Sequence, residues 1–224
     1  MCGEVTSAAQ MQVSPSPHLR SRTLSIEGRT INSVTTDTVE NCAVIPALMF
    51  QEKSVLEVGG GMTALAGCLL AATAAARTVH LTDGNATSVN NLQTIVQRAA
   101  STPNTQTQCD SLHAFRLRWD EDVAELADSY DAILSADCLF FTESAASLVA
   151  ALHTLLRPRG AAYIAAPNRE GTFGHFKRLA EEQFGRVEEL EDYSVEVTKA
   201  HESWLGQPGY TPDIHYPKML VLTK

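Results

Sequence analysis

The sequence predicts an α/β protein with a doubly wound, mostly parallel seven-stranded sheet and an antiparallel last strand. Three observations predict it. Short β-branched runs alternate with helical patterns from Ser54 onward, the order that builds βαβ units rather than hairpins. Tyr130 to Ala136 is a nearly continuous apolar run, as a strand buried on both faces must be. Ser54 to Asn85 reads SVLEVGGGMTALAGCLLAATAAARTVHLTDGN: strand, glycine loop, small-residue helix, strand. That is a nucleotide-binding unit, in which glycines let the backbone approach a ligand and the helix N-terminus offers free N–H groups.

The elements follow in order. Residues 1–37 are rich in Ser, Thr, Pro and Arg and are expected to form a loosely ordered segment. The domain then occupies residues 38–224. Val44 to Phe50 is an apolar piece broken at Pro46, and Val55 to Val58 is the first strand. Met62 to Ala76 is a helix of small residues that can lie close on a sheet, and Thr78 to Thr82 is the second strand. Asn85 caps a helix whose Val89, Leu92, Ile95, Val96 and Ala99 keep the 3.6 period. Ser101 to Thr107 is a polar loop. Ser111 to Leu117 is a third strand, a short acidic helical stretch covers Asp122 to Ala127, and Tyr130 to Ala136 is the fourth strand. Thr142 is positioned to cap the next helix, which Pro158 and Gly160 end. Ala161 to Ala166 is a fifth strand, and Thr172 to Phe184 a helix with Gly185 at C′. Val187 to Tyr193 and Met219 to Leu222 close the sheet, joined by a long polar loop.

Bulk properties narrow the function. A chain of 224 residues suits one domain with a full core. The net charge of −9 gives no overall field toward nucleic acid. Ala64 to Ala76, the longest apolar run, is too short to span a bilayer. Cys2, Cys42, Cys68, Cys109 and Cys138 are odd in number and form no CxxC. They read as free thiols in a reducing compartment, so cytoplasm and nucleus are expected and a zinc site is not. A monomer is the expected state.

In such sheets ligands bind beyond the carboxyl ends of the strands, where strand order reverses. There the chain places Glu57 with Gly59, Gly60 and Gly61, then Asp83, then Trp119 with Asp120, then Ala136, Asp137, Cys138 and Phe140. Pro167, Asn168 and Arg169 follow the fifth strand. Acids thus follow four strands in succession. This crown suits S-adenosylmethionine, whose ribose brings two hydroxyls, whose amino-acid end brings an ammonium, and whose sulfonium is cationic. A pyrophosphate would be repelled by Glu57 and Asp120. NAD also has a ribose at the second strand, so Asp83 alone does not separate the two. GxGxxG needs Gly at position 64, where this chain has Ala64, a residue some dinucleotide sites tolerate. Plainer roles stand beside these. The glycines can be a tight turn, Asp83 a helix cap, Trp119 core packing, Asp137 an acid at a helix N-terminus, and Cys138 a small buried residue.

LEVGGGMTALAG, LTDGN, LRWD, SADCLF, LLRPRG and the closing HYPKMLVLTK resemble the calmodulin-lysine N-methyltransferases. These belong to the seven-stranded, S-adenosylmethionine-dependent protein-lysine methyltransferases. The resemblance runs from about Val39 to Lys224. It implies that Glu57, Gly59, Gly60 and Gly61 line the methionine part of the cofactor, that Asp83 holds the ribose, and that Trp119 contacts adenine with Ala136 near it. It implies that Asp137 faces the target lysine, where the wider group often reads Asp-x-x-Tyr and this chain has Phe140. It implies calmodulin as the protein substrate; the alternatives are another protein or a small molecule as acceptor, or a methyltransferase-like protein that binds partners without turnover. The group has Trp-Pro ahead of the first strand and a helix after it; here Ile45-Pro46 stands there, and Ala47 to Ser54 is short for a helix plus a loop. Calmodulin is acidic, as is this chain, so a local basic face is needed. Several of Arg116, Arg118, Arg157, Arg159, Arg169, Lys177 and Arg178 are expected to cluster on one rim, the alternative being scattered solvated charge.

Overall fold

The computed structural model describes residues 47–101, 107–190 and 193–224. The expectations for the first 46 residues, including the loose segment and the Ile45-Pro46 departure, lie outside them. The strands are β1 (Ser54–Val58), β2 (Thr78–Asp83), β3 (Ser111–Arg116), β4 (Tyr130–Ala136), β5 (Leu156–Ala166), β6 (Arg186–Leu190) and β7 (Lys218–Thr223). They form one seven-stranded sheet in the order β3-β2-β1-β4-β5-β7-β6. β7 runs antiparallel to β5 and β6, and the remaining pairs are parallel. The chain runs outward from β1 through β2 to β3, then returns to lay β4 beside β1. The reversal at β1/β4 opens a crevice at their carboxyl ends.

Alternation of side chains across the strands makes two cores. Val55, Val79, Leu81, Ala132, Leu134 and Ala165 face the side covered by α1 (Leu65–Thr73) and α2 (Ala86–Ser101). Leu56, Val58, Ile133, Ile164, Leu220 and Leu222 face α3 (Thr142–Leu155) and α4 (Thr172–Glu181), which contribute Leu148, Leu152, Leu155, Phe173 and Phe176. The small residues of α1 bring it against the sheet: a Cβ on Gly67 would sit 2.5 Å from Leu81 Cδ2 and 2.6 Å from Glu57 Oε2. Asn85 caps α2 as expected, its side chain accepting from Thr87 N at 2.8 Å.

Several boundaries differ from the sequence expectation, each for a local reason. α1 begins at Leu65 instead of Met62, because Ala64 is left-handed (φ 42°) and the chain winds through the glycine loop first. Thr142 is the first helical residue; Phe141 stands at the N-cap position and makes no side-chain cap. α3 passes directly into β5 at Leu156, so the helix stops before Pro158 and Gly160 are reached. α4 ends at Glu181 because the Ala180 carbonyl accepts from both Gln183 N and Phe184 N. That tight turn leaves Gly185 without a C′ role. The acidic stretch near Asp122 is a single 3-10 turn, Ala124–Leu126.

The largest difference lies between β6 and β7. The expected polar loop contains α5 (Val195–Trp204) and the short α6 (Pro212–His215). Ser194 caps α5, its hydroxyl accepting from Val197 N at 3.3 Å. Neither helix holds a buried residue, so the apolar period that reveals a helix in sequence is missing. The insert is knit by rings instead: His201 lies 4.1 Å from Tyr216, and Tyr210 5.5 Å from His215, between centroids.

Candidate functional site

The turn after β1 is fixed by backbone geometry and two carboxylates. Gly59 and Gly61 have φ of 65° and 60°, a region in which glycine alone is unstrained. Gly60 N donates to Thr82 O at 2.8 Å, and Ala64 N to Gly60 O at 2.7 Å. Asp83 closes the loop from β2: its Oδ2 accepts from Gly61 N at 2.9 Å and its Oδ1 from Asn85 N at 2.7 Å. Each oxygen keeps a further lone pair, since an ionised carboxylate accepts about four hydrogen bonds. Asp83 is thus part of the loop's construction as well as a candidate ribose ligand.

Glu57 takes a deeper position than a ligand-lining acid. It is 3% exposed and points toward the start of α1, where Oε2 accepts from Gly67 N at 2.6 Å. Burial pushes its carboxyl up from 4.5 to about 7, although the Gly67 and Ala66 N–H groups pull it back down. A Cβ on Gly60 would come within 3.5 Å of Glu57 Cδ. The acid lies directly under the glycine loop.

Gly59 is where the strand ends meet. A side chain there would overlap the Cys138 sulfur and lie 3.3 Å from Trp119 Cζ3. β1, β4 and the segment after β3 therefore converge on one backbone position. Cys138 is a buried thiol, pushed up to about 12 chiefly by desolvation, and it donates to Val58 O at 3.5 Å. It fills space there. Trp119 packs one part against the core and presents another to a cleft of about 380 Å³ lined also by Gly84, Leu117, Arg118, Glu143 and Ser147. Trp119 therefore packs against the core and also lines the cleft. Asp120 is turned outward, Nε of Arg118 donating to its Oδ1 at 2.8 Å.

The second half of the crevice lies after β4 and β5. Ala136, half-buried, pairs with Ala165 across the two strands. Asp137 is left-handed (φ 59°) and its N–H donates to Ala165 O at 2.7 Å. A non-glycine residue held in that region marks strain of the kind that clusters at functional sites, and Asp tolerates it better than most. The Asp137 carboxylate pairs with Arg169. The same guanidinium lies 4.3 Å from the centroid of Phe140, whose side of the crevice is open: Phe140 is 51% and Phe141 66% exposed. Asp213 of α6 holds the Arg169 loop. Its oxygens accept from Asn168 Nδ2 and Glu170 N, each at 2.7 Å, and its carbonyl accepts from Arg169 N at 2.7 Å.

The structure thus brings Gly59, Gly60, Gly61, Asp83 and Trp119 together at the carboxyl ends of β1, β2 and β3, with Glu57 buried beneath the loop, Trp119 alone of these lining the cleft, and Ala136, Asp137 and Phe140 at the end of the adjoining β4. Arg169 and Asp213 join them, and the sequence reading assigned neither to the site. Arg169 was legible only as a residue after the fifth strand. Asp213 comes from an unforeseen helix.

The seven cations do not all gather on one rim. Arg116 ends β3 and Arg118 follows it, whereas Arg157 and Arg159 lie at the start of β5, toward the opposite ends of the parallel strands. Arg116 pairs with Glu121, Arg118 with Asp120, Arg157 with Asp131, Arg169 with Asp137 and Lys177 with Glu189. Each of these cations is matched locally by an acid.

The surroundings of the glycine loop suit S-adenosylmethionine better than a dinucleotide. Two acids flank the glycine loop, and Arg118 and Arg169 are engaged by carboxylates, so neither is a free cation for a pyrophosphate. Among the described residues no group of three metal-ligating side chains comes together.

Comparison with known proteins agrees. The calmodulin-lysine N-methyltransferase of Arabidopsis thaliana is 29% identical over 181 residues, covering 78% of this chain. The chain spans 58% of that relative's length. A methyltransferase from Pyrococcus furiosus has the same fold with a TM-score of 0.57 at 14% identity, covering 84% of this chain and 82% of that one. An S-adenosylmethionine-dependent methyltransferase from Mesorhizobium loti has it with a TM-score of 0.55 at 14% identity, covering 86% and 99%. Residues 30–184 match a family described as lysine methyltransferase. The chain belongs to that lysine methyltransferase family, and S-adenosylmethionine is its cofactor.

Proposed function

We propose that the protein is a protein-lysine N-methyltransferase that acts on calmodulin. The observation that carries the reading is the contact at Gly59. Cys138 touches that glycine, and its neighbour Asp137 opens the acceptor side. One residue separates the cofactor cradle from the acid expected to face the lysine.

S-adenosylmethionine, when bound, supplies a methyl group already activated on a sulfonium, so no protein nucleophile is required. The chain's own residues have two tasks. Asp83, the glycine loop, Glu57 and Trp119 hold and orient the cofactor, the main source of acceleration in a reaction limited by alignment. Asp137 and Phe140 receive the lysine. A lysine of ordinary pKa near 10.4 is protonated, and removing the proton at about pH 7.4 costs roughly 4 kcal/mol. Asp137 binds and orients the ammonium and can take or relay its proton. Phe140 offers a ring face to a cationic amine and shields it from water.

Calmodulin as the acceptor is supported by the similarity to the Arabidopsis enzyme. A different, less acidic protein acceptor is favoured by the net charge of −9 and the locally paired cations. Incubation with calmodulin and S-adenosylmethionine, read by intact mass, decides between them. Methyl-sized steps on one lysine are expected. If S-adenosylhomocysteine raises the melting temperature while calmodulin gains no mass, calmodulin is withdrawn and the acceptor is sought elsewhere. We place the protein in the cytoplasm or nucleus, where Cys68, Cys109 and Cys138 would remain the free thiols they are here.

A further inference from the structure

The groups proposed to receive the lysine already hold a cation. The Arg169 guanidinium pairs with the Asp137 carboxylate and stacks 4.3 Å from the Phe140 centroid. A carboxylate and an aromatic face are the two partners an alkylammonium would use. The arrangement is imposed by the fold. Arg169, Glu170 and Gly171 have φ of 38°, 57° and 90°, and this left-handed run is pinned by the three hydrogen bonds to Asp213 described above. Such a run persists only where its surroundings over-determine it. Here the pinning aims Arg169 at Asp137.

Arrival of a lysine at Asp137 and Phe140 displaces that guanidinium. Leaving it unpaired in a half-buried position is unfavourable, because an ion that loses its partner retains the desolvation penalty. A carboxylate beside the target lysine removes the problem. Lysine takes Asp137, and the neighbouring acid takes Arg169, so one ion pair becomes two. We propose that Arg169 is the specificity-determining residue of the acceptor site: a stand-in for the substrate ammonium that, once displaced, selects lysines flanked by Asp or Glu. This rests on the proposed function, of which it refines the substrate class.

The test uses short acetylated peptides with a single lysine flanked by aspartates or by asparagines. Binding is measured by fluorescence anisotropy in the presence of S-adenosylhomocysteine, so that no turnover is needed. The wild-type protein should prefer the aspartate peptide by on the order of tenfold, the scale of one charge-assisted hydrogen bond. Arg169→Gln should abolish that preference while the asparagine peptide binds as well or better. Arg169→Lys should keep part of it. An equal preference in wild type and Arg169→Gln overturns the proposal, as does failure of both peptides to bind the wild type. A control independent of peptides is n-butylammonium, followed by NMR. It should saturate a site in Arg169→Ala that is lost in Asp137→Asn/Arg169→Ala, and no gain over wild type counts against the stand-in role. Methyl transfer is followed separately. Arg169-dependent binding without transfer would retire the enzymatic reading and leave the cation exchange standing; transfer without Arg169 dependence would do the reverse.

Discussion

The two halves of the crevice are built differently. On the β1–β2 side, short-range backbone contacts make the site. Gly61 N and Asn85 N reach Asp83, Gly67 N reaches Glu57, and the glycine loop joins consecutive elements. On the β4–β5 side, side chains from distant segments assemble it. Arg169 crosses to Asp137, 32 positions away in sequence, and Asp213 reaches Asn168 across 45. Fixed backbone donors suit a cofactor whose shape never changes. Displaceable ion pairs suit an acceptor that enters and leaves as part of a larger body. Under the proposed function, the contrast assigns the rigid half to cofactor binding and the exchangeable half to acceptor selection.

The comparison is most easily broken at Gly59. Gly59→Ala must place a methyl against Cys138 and 3.3 Å from Trp119 while holding φ near 65°. Overpacking and left-handed strain together should destabilise the fold by about 2–4 kcal/mol and abolish S-adenosylhomocysteine binding. Gly61→Ala is the calibrating variant. It carries the same strain at φ 60° with open space around it, so it should lose only about 1–2 kcal/mol. Denaturant midpoints and a cofactor titration on both variants check this. Equal effects at the two glycines would show that the convergence on Gly59 is not tight.

Glu57 gives the next largest effect, and its sign is unusual for a carboxylate. Its folded pKa, about 7, lies above the ordinary 4.5. The folded state therefore keeps a proton that the unfolded chain releases. The stabilisation is complete below pH 4.5 and fades as pH rises through 7, a change of up to about 3 kcal/mol. Glu57→Gln should remove this slope and make the cofactor-free protein more stable than wild type at about pH 8. It should also weaken binding of the cationic cofactor. Parallel melts with and without S-adenosylmethionine separate the two consequences. A wild-type stability that rises between pH 4.5 and 7 would mean that Glu57 is ionised in the fold.

The same division explains what the sequence could disclose. The alternation of strands and helices, the sheet class and the cluster of Glu57, the glycines, Asp83 and Trp119 were readable, because local pattern and strand-end position determine them. α5 and α6 were not, because they bury no side chain and keep no apolar stripe. Without them Asp213 had no assigned place, and Arg169 had no reason to point inward. The local pairing of the cations was unreadable for a related reason. Sequence gives the sign of each charge, whereas Asp131, Glu189 and Asp137, which neutralise Arg157, Lys177 and Arg169, come from other elements. Glu57 was found, but its burial was not. Its place beneath Gly60 depends on how closely α1 lies on β2.

Asp213→Asn should give the smallest effect and the sharpest separation of the two halves. Asparagine keeps the shape, but its amide must turn an N–H₂ toward either Asn168 Nδ2 or Glu170 N, both donors. One of the two bonds is lost, and the loop that aims Arg169 is freed on one side. KM for the lysine acceptor should rise several-fold, and the preference for acid-flanked lysines should shrink. Cofactor affinity should not move, since Asp213 touches nothing in the glycine loop. The Asp213 carboxyl is held below its usual 3.8 by the Glu170 N–H and the Asn168 amide. These bonds therefore favour the folded loop above the ordinary carboxylate range and weaken as pH falls through the depressed value. Were cofactor affinity to fall in step with acceptor affinity, the crevice would be one cooperative unit, and the selective half would not be separable from the binding half.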